Sequence, residues 1–164
     1  MKYAIQPVRS TLHSPLGAMT LAARDNALVG VWFDGQRHQP DPSNWQQEDA
    51  HPVLRAALEQ LQQYFAGERH RFELPLALDS GTVFQQKVWR ALLEIASGST
   101  LSYGAVSQAI AQPSAVRAVA AAIGRNPLSI VVPCHRVLGA NGALTGYAGG
   151  LDRKAALLQL ESRT

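Results

Sequence analysis

Cys134 is the only cysteine in the 164 residues, and a histidine, His135, follows it directly. A lone thiol forms no disulfide within the chain, so it serves either packing or reaction chemistry. An imidazole beside a thiol can accept its proton and so generate the thiolate, which is the nucleophilic form. An unpaired cysteine after β-branched residues also packs as a small apolar group. The pair therefore predicts a nucleophilic centre, with a structural cysteine as the alternative.

Glu161 is the carboxylate that can complete this centre. In the final predicted helix it shares a face with Leu157 and Leu158, which lie four and three positions earlier. Because those leucines should be buried, we expect the carboxylate to point inward, where it can orient His135 and make it a better base. A solvated glutamate near the C-terminus is the alternative.

The elements before the cysteine are predicted to be mainly helical. Gly81 or Thr82 can cap a first helix that closes near Gly98. Residues 101–110 predict a second helix, and Ser114 is predicted to cap a third that runs to about residue 124. Short helices joined by a turn of three or four residues have the form of a helix-turn-helix.

The third helix has one apolar and one basic face. Spacing of i, i+3, i+4 and i+7 predicts its buried stripe: Val116, Val119, Ala120 and Ile123. The opposite face carries small and basic residues: Ser114, Arg117, Ala118, Ala121 and Arg125. The helix dipole disfavours a cation in the first turn, so helix stability does not explain Arg117. The face predicts contact with a sugar-phosphate backbone, and a solvated alanine-rich helix is the alternative.

The segments around Cys134 can place it beside a ligand. Asn126, in a predicted turn at residues 124–127, can hydrogen bond to nearby backbone and fix the next segment. An extended run at residues 128–132 then leads to the cysteine. Glycines at residues 139–142 and 145–150 allow backbone amides to approach a ligand closely.

The first half of the chain predicts a supporting α/β unit. Its pattern indicates a β-hairpin of residues 17–23 and 27–33, a helix between Val53 and Phe65 that Gly67 ends, and an edge strand at residues 71–76 that a proline interrupts. We find no group of residues in this half whose types and spacing suggest a catalytic or binding site. Its scattered histidines are expected on the solvated surface: His13, His38, His51 and His70.

Charge separates the two halves. Residues 1–79 carry seven Lys and Arg against nine Asp and Glu, a net charge of −2, whereas residues 80–164 carry eight against three, a net charge of +5. The basic half contains the cysteine, which favours a polyanionic partner.

The composition is that of an ordinary globular protein, with 46% hydrophobic and 16% charged residues. No run approaches a membrane span, and the start lacks the apolar core of a signal peptide. A cytoplasmic protein is therefore expected, without a disulfide scaffold, a metal site or a membrane partner.

Three motifs, taken in order, resemble the O6-alkylguanine-DNA alkyltransferases, also called methylated-DNA–protein-cysteine methyltransferases. They are RNP at residues 125–127, PCHRV at 133–137 and TGYAGG at 145–150. The resemblance is strongest from about Gly81 to Glu161. It implies an α+β fold, with an N-terminal α/β lobe of ribonuclease H-like type at residues 1–79 and a mainly helical C-terminal domain with a helix-turn-helix at residues 80–164.

The resemblance also implies suicidal, single-turnover DNA repair. The protein would flip O6-alkylguanine, with O4-alkylthymine as a further candidate, out of double-stranded DNA and transfer the alkyl group irreversibly and stoichiometrically to Cys134. No cofactor is implied, since the alkylated base brings its own leaving group. A monomer is expected, with cooperative binding along DNA as an open alternative.

The resemblance gives four residues catalytic roles. Cys134 would be the nucleophile, and His135 would deprotonate it through a water. Glu161 would orient His135, and Asn126 would brace the turn before the active-site segment.

Other residues would bind DNA and the base. Arg117 would fill the gap left in the duplex, while Tyr103 would press on the target phosphate and then donate to the guanine. The carbonyls of the nucleophile and of Val137 would accept from the exocyclic amine, and Tyr147 with the amide of Ala148 would line the pocket near the oxygen. The rest of the DNA-binding surface would comprise Gly104, Ser114 and Ala115.

Two other classes of protein are alternatives. A helix-turn-helix regulator, or an alkyltransferase-like protein that recognises lesions without repair, would need no reactive thiol. A papain-like hydrolase normally has its histidine far from its cysteine in sequence, whereas His135 is adjacent to Cys134 and is the only histidine of the basic half.

Overall fold

The structure is a computed structural model that describes residues 5–163. The first four residues, on which part of the signal-peptide argument rests, and residue 164 lie outside the described part. Within it, no helix combines the length and the apolar character that a membrane crossing requires.

The N-terminal lobe is a three-stranded antiparallel sheet covered by one helix. Its strands are β1 (Val8–Ser14), β2 (Gly17–Arg24) and β3 (Ala27–Phe33), in that spatial order. The predicted hairpin of β2 and β3 is confirmed, with Asp25 in the left-handed region at its turn. The predictions did not include β1.

Helix α1 (Pro52–Phe65) confirms the predicted amphipathic helix, and its apolar face packs on the sheet. His51 is a half-buried N-cap whose Nδ1 accepts from the amide of Val53, so the expectation that this histidine is a solvated surface residue is wrong. An imidazole that caps a helix has no sequence signature as clear as that of Ser, Thr, Asp or Asn.

Residues 71–76 do not form the predicted edge strand. Only Leu76 pairs, in one isolated parallel bridge with Leu28 of β3. Pro75 lacks an amide donor, which prevents a continuous ladder there. Farther along the same strand, Val31 forms a second isolated bridge with Leu128 of the C-terminal half. One strand edge thus anchors both the end of the lobe and the segment that leads to Cys134.

The C-terminal half is mainly helical, as predicted. In chain order it contains α2 (Val83–Leu92), β4 (Leu101–Ser102), α3 (Tyr103–Ala109), α4 (Val116–Gly124), a 3₁₀ turn (Cys134–Arg136), β5 (Val137–Leu138) and α5 (Leu151–Glu161). Of the two predicted caps of α2, Thr82 is the N-cap, and it forms a capping box with Gln85.

Helices α3 and α4 form the helix-turn-helix, with a longer connection than predicted. Six residues, 110–115, join them. Helix α3 starts at Tyr103 rather than at Leu101, because β4 pairs in parallel with β5 and Ser102 caps the helix. Ser114 does not cap α4; the N-cap is Ala115, which supplies no side-chain hydrogen bond.

The buried stripe of α4 differs from the predicted one. Val119 and Ile123 are buried as expected, but Val116 and Ala120 are exposed and Ala122 is buried instead. Trp89 of α2 explains the difference, since its fully buried indole donates from Nε1 to the carbonyl of Ala122 at 2.8 Å and packs this face inward. The predicted small and basic face is exposed throughout: Ser114, Arg117, Ala118, Ala121 and Arg125.

We expect Trp89→Phe to lower the free energy of unfolding by about 2–4 kcal/mol, because it leaves a cavity and removes a buried hydrogen bond. Urea denaturation followed by far-UV circular dichroism measures this loss. Val83→Ala is the matched control, since Val83 lies on the same helix and is 84% exposed. Equal stability of the two variants would contradict the proposed role of Trp89 in fixing α4.

Candidate active site

A turn held by Asn126 positions the segment before the cysteine. The Asn126 amide donates from Nδ2 to the carbonyl of Val132 at 2.8 Å, and its Oδ1 accepts from the amide of Leu128 at 3.0 Å. Residues 128–132 are therefore not the extended run that was predicted. They form turns, with Ile130 at a φ of +73°, and the tertiary hydrogen bonds outweigh the β preference of this sequence.

Cys134 starts the 3₁₀ turn and lies on the wall of a cavity of about 520 Å³. Three other predicted site residues line the same cavity: Tyr103, Tyr147 and Ala148. The cysteine is only 6% exposed. Burial raises the pKa of its thiol, and the nearby Asn126 amide and Lys154 charge only partly oppose this. A base is therefore needed to produce thiolate at neutral pH.

His135 lies behind the cysteine and is completely buried. Its Nε2 is 2.7 Å from Oε2 of Glu161, so the carboxylate points inward as predicted. Among residues 5–163, no group hydrogen bonds to its buried Nδ1. Burial lowers the pKa of His135, and Glu161 opposes that effect. A neutral ring that donates from Nε2 has its lone pair on Nδ1, where it can accept a proton.

Glu161 has two further partners that the sequence analysis missed. Arg136 donates to the carboxylate from Nε at 2.8 Å and from Nη2 at 2.9 Å, and Tyr64 of α1 donates from its hydroxyl at 2.6 Å. Although burial opposes it, hydrogen bonds from His135 and Arg136 hold the pKa of Glu161 well below its usual range. The carboxylate is thus a buried anion at neutral pH.

Lys154 is a fully buried cation near the cysteine, and it was also missed. Its Nζ donates to the carbonyl of Thr145 at 2.7 Å and lies 5.9 Å from the centre of the Tyr103 ring. Burial lowers the pKa of Lys154, and Cys134 opposes this. Extending the spacing used for Glu161 by one more turn would have found Lys154, since it lies seven positions earlier on the same helix face.

The N-terminal lobe also contributes to the cavity wall, which the sequence analysis did not predict. Arg37 and His38 line it, and the Arg37 amide donates to the carbonyl of Ala148 at 3.1 Å. The His38 side chain is exposed as predicted. The loss of solvent on the side that faces the protein, together with the charges of Arg125 and Arg37, lowers the pKa of His38.

The remaining predicted site residues lie away from the cavity wall. Arg117 and Ser114 are exposed on the helix-turn-helix, where Gly104 and Ala115 are half-buried. Val137 is fully buried in the short sheet with β4. The structure therefore groups the predicted residues into a cavity, a buried polar network behind it and an exposed helical surface.

Comparisons with known proteins cover nearly the whole chain. Residues 8–78 match the family model for the ribonuclease-like domain of 6-O-methylguanine DNA methyltransferase, and residues 83–163 match the model for its DNA-binding domain. A methylated-DNA–protein-cysteine methyltransferase from Mycolicibacterium paratuberculosis is 49% identical over 93% of this chain and 91% of its own. The protein of the same name from Methanosarcina acetivorans is 46% identical, over 98% of each chain.

The fold matches as well. The crystal structure of Mycobacterium tuberculosis OGT in complex with DNA has a TM-score of 0.86 and 46% sequence identity, covering 93% of this chain and 91% of that chain. An N-terminal α/β lobe followed by a helical C-terminal domain is thus the fold that was expected. From its two domains and its identity to these relatives, the chain belongs to the methylated-DNA–protein-cysteine methyltransferase family.

Proposed function

We propose that this protein repairs DNA by transferring an alkyl group irreversibly from the O6 atom of guanine to Sγ of Cys134. The observation that carries the proposal is the position of that sulfur on a cavity wall, with the His135–Glu161 pair buried behind it. O4-alkylthymine, which presents the same kind of alkyl–oxygen bond, is a second candidate substrate. The boundary between the two domains lies at residue 79. The C-terminal domain binds DNA and performs the transfer, and the N-terminal lobe supports the C-terminal domain.

The transfer starts with a proton movement. His135 takes the thiol proton at Nδ1 through one bridging water, and Glu161 stabilises the imidazolium that forms. The thiolate attacks the alkyl carbon, so a carbon–sulfur bond forms while the bond to the guanine oxygen breaks. The electron pair of the broken bond stays on guanine. The hydroxyl of Tyr103 donates a proton to the departing base and regains one from solvent, and His135 releases to solvent the proton that it took from the thiol.

Two further groups favour the thiolate. The positive charge of Lys154 stabilises an anion at Cys134, and Asn126 holds the segment that carries it. The product is a thioether, which has no good leaving group, so each molecule reacts once. No cofactor enters this scheme, because the alkylated base carries its own leaving group.

The exposed face of α4 supports binding to double-stranded DNA. A helix of small residues can approach the minor groove closely, and Arg117 can enter the stack when the target base leaves it. Ser114, Ala115 and Gly104 belong to the same helix-turn-helix and contact the backbone. Most of the affinity comes from phosphates, so it falls as salt rises.

The flipped base occupies the cavity beside Cys134. Tyr147 and the amide of Ala148 lie near its O6 atom, and the carbonyls of Cys134 and Val137 accept from its exocyclic amine. The protein acts as a monomer in the cytoplasm, and cooperative binding along DNA is compatible with this scheme.

Replacing the nucleophile separates binding from transfer. We expect Cys134→Ser to bind lesion-bearing duplex with nearly unchanged affinity, because most of the affinity comes from phosphate contacts and the substitution changes only one mostly buried atom of the cavity wall. Transfer should be abolished, since a hydroxyl beside a neutral imidazole is a far weaker nucleophile than a thiolate. Fluorescence anisotropy measures the binding, and loss of the alkyl group from the oligonucleotide measures the transfer. Transfer that persists in this variant would point to another acceptor.

The role of Arg117 in base flipping can be tested with two substrates. We expect Arg117→Ala to slow transfer from duplex DNA by about tenfold to a hundredfold, because extrusion of a base costs a few kcal/mol. Transfer from the free O6-methylguanine base should change little, since this substrate needs no extrusion. Arg55→Ala is the matched control, an exposed arginine on α1 of the N-terminal lobe. Equal losses on the two substrates would contradict a flipping role.

A further inference from the structure

Tyr64 links the N-terminal lobe to the buried network behind the nucleophile. It belongs to α1, is 2% exposed, and its hydroxyl lies 2.6 Å from Oε2 of Glu161 across 97 residues of chain. Its ring packs edge-on against Phe65, at 5.4 Å between centroids, and tilted against Phe72, at 5.6 Å. In the proposed alkyl transfer this hydroxyl has no role of its own.

The hydroxyl shares one carboxylate oxygen with the imidazole. Oε2 of Glu161 accepts from Tyr64 at 2.6 Å, from Nε2 of His135 at 2.7 Å and from Nη2 of Arg136 at 2.9 Å. Oε1 accepts from Nε of the same arginine at 2.8 Å. A hydrogen bond to an ionised carboxylate stabilises that form and lowers its basicity, so the phenol weakens the pull of the carboxylate on the His135 proton.

We propose that Tyr64 is a positioning residue through which the N-terminal lobe holds Glu161 and limits its attraction for the His135 proton, keeping the imidazole neutral and able to accept the thiol proton. This inference rests on the proposed role of His135 as the base. Tyr64 acts through Glu161 and contacts neither the substrate nor the reacting sulfur.

The charges around His135 set the direction of the effect. Burial lowers its pKa most, Glu161 of α5 raises it, and Arg136 beside it and Lys154 of α5 lower it. Burial and the Glu161 charge raise the pKa of Tyr64 far above its usual range, so the phenol stays protonated and donates. Without that donor the carboxylate attracts His135 more strongly, and the pKa of the imidazole rises.

The test is Tyr64→Phe in the full chain, which keeps the ring and removes the hydroxyl. In ¹⁵N-histidine NMR titrations, with the His135 signal identified by its absence in His135→Gln, we expect the midpoint to rise by about half a pH unit or more. The acid limb of single-turnover transfer should move to higher pH by the same amount. At pH values well above that limb, the rate should fall by no more than about tenfold, because Glu161 loses the hydroxyl that holds it in place while His135 remains as the base.

Thr20→Val is the matched control. Thr20 is another buried residue of the N-terminal lobe, and its hydroxyl donates to Oδ1 of Asp34 at 2.7 Å, a hydrogen bond that involves no residue of the active-site network. This variant also removes a side-chain hydrogen bond of a buried residue. Its thermal denaturation midpoint measures the loss of stability, and its transfer rate shows how much such a structural loss alone slows transfer. We expect its His135 midpoint and its pH profile to match those of the unmodified protein.

A second probe should shift the His135 midpoint in the opposite direction, and it keeps the aromatic ring of residue 64 in place. Site-specific 3-fluorotyrosine at position 64 has a more acidic hydroxyl and is a stronger donor, so it should lower the His135 midpoint. Unchanged midpoints in both the phenylalanine and the fluorotyrosine proteins would overturn the role of Tyr64. Failure of the unmodified protein to transfer any alkyl group would instead contradict the proposed function, whatever the titrations show.

Discussion

Hydrogen bonds to the buried carboxylate of Glu161 join the active-site turn and the N-terminal lobe to α5. A buried anion is costly unless it is paired and fully hydrogen bonded. Here His135, Arg136 and Tyr64 supply the donors, and they come from the active-site turn and from α1 of the other lobe. Removing any one of them leaves the anion less well compensated, so the network couples the packing of the two lobes to the position of His135.

The backbone before the cysteine is also held by hydrogen bonds from the N-terminal lobe. Val31 of β3 donates to the carbonyl of Pro127 and accepts from the amide of Ser129, so the N-terminal sheet anchors the turn that Asn126 completes. The sulfur is mostly buried, so solvent does little to stabilise its thiolate form, and burial raises the pKa of the thiol. In the proposed reaction the thiol therefore needs a neighbouring base to ionise, and His135 directly after it is the residue to which we assign that role.

Local patterns in the sequence predicted much of this structure. The hairpin, α1 and the inward carboxylate were predictable because periodic burial determines them, and the same spacing could have identified Lys154. The turn at residues 128–132 was not, because its β-branched residues favour extended backbone and only the contacts with Val31 and Asn126 reverse that preference. The hydrogen bond between Tyr64 and Glu161 could not be predicted from the local sequence, since Tyr64 fits the apolar spacing of α1 and its partner lies 97 residues away.

Intact-protein mass spectrometry detects irreversible alkyl transfer to Cys134 itself. Purified protein is incubated with an excess of duplex carrying O6-methylguanine, and peptide mapping then locates any added mass. The account predicts one methyl group per molecule, found on the peptide that contains Cys134, with demethylation of the DNA ending after about one equivalent. Continued turnover beyond one equivalent, or an unmodified cysteine after the lesion has been consumed, would contradict it.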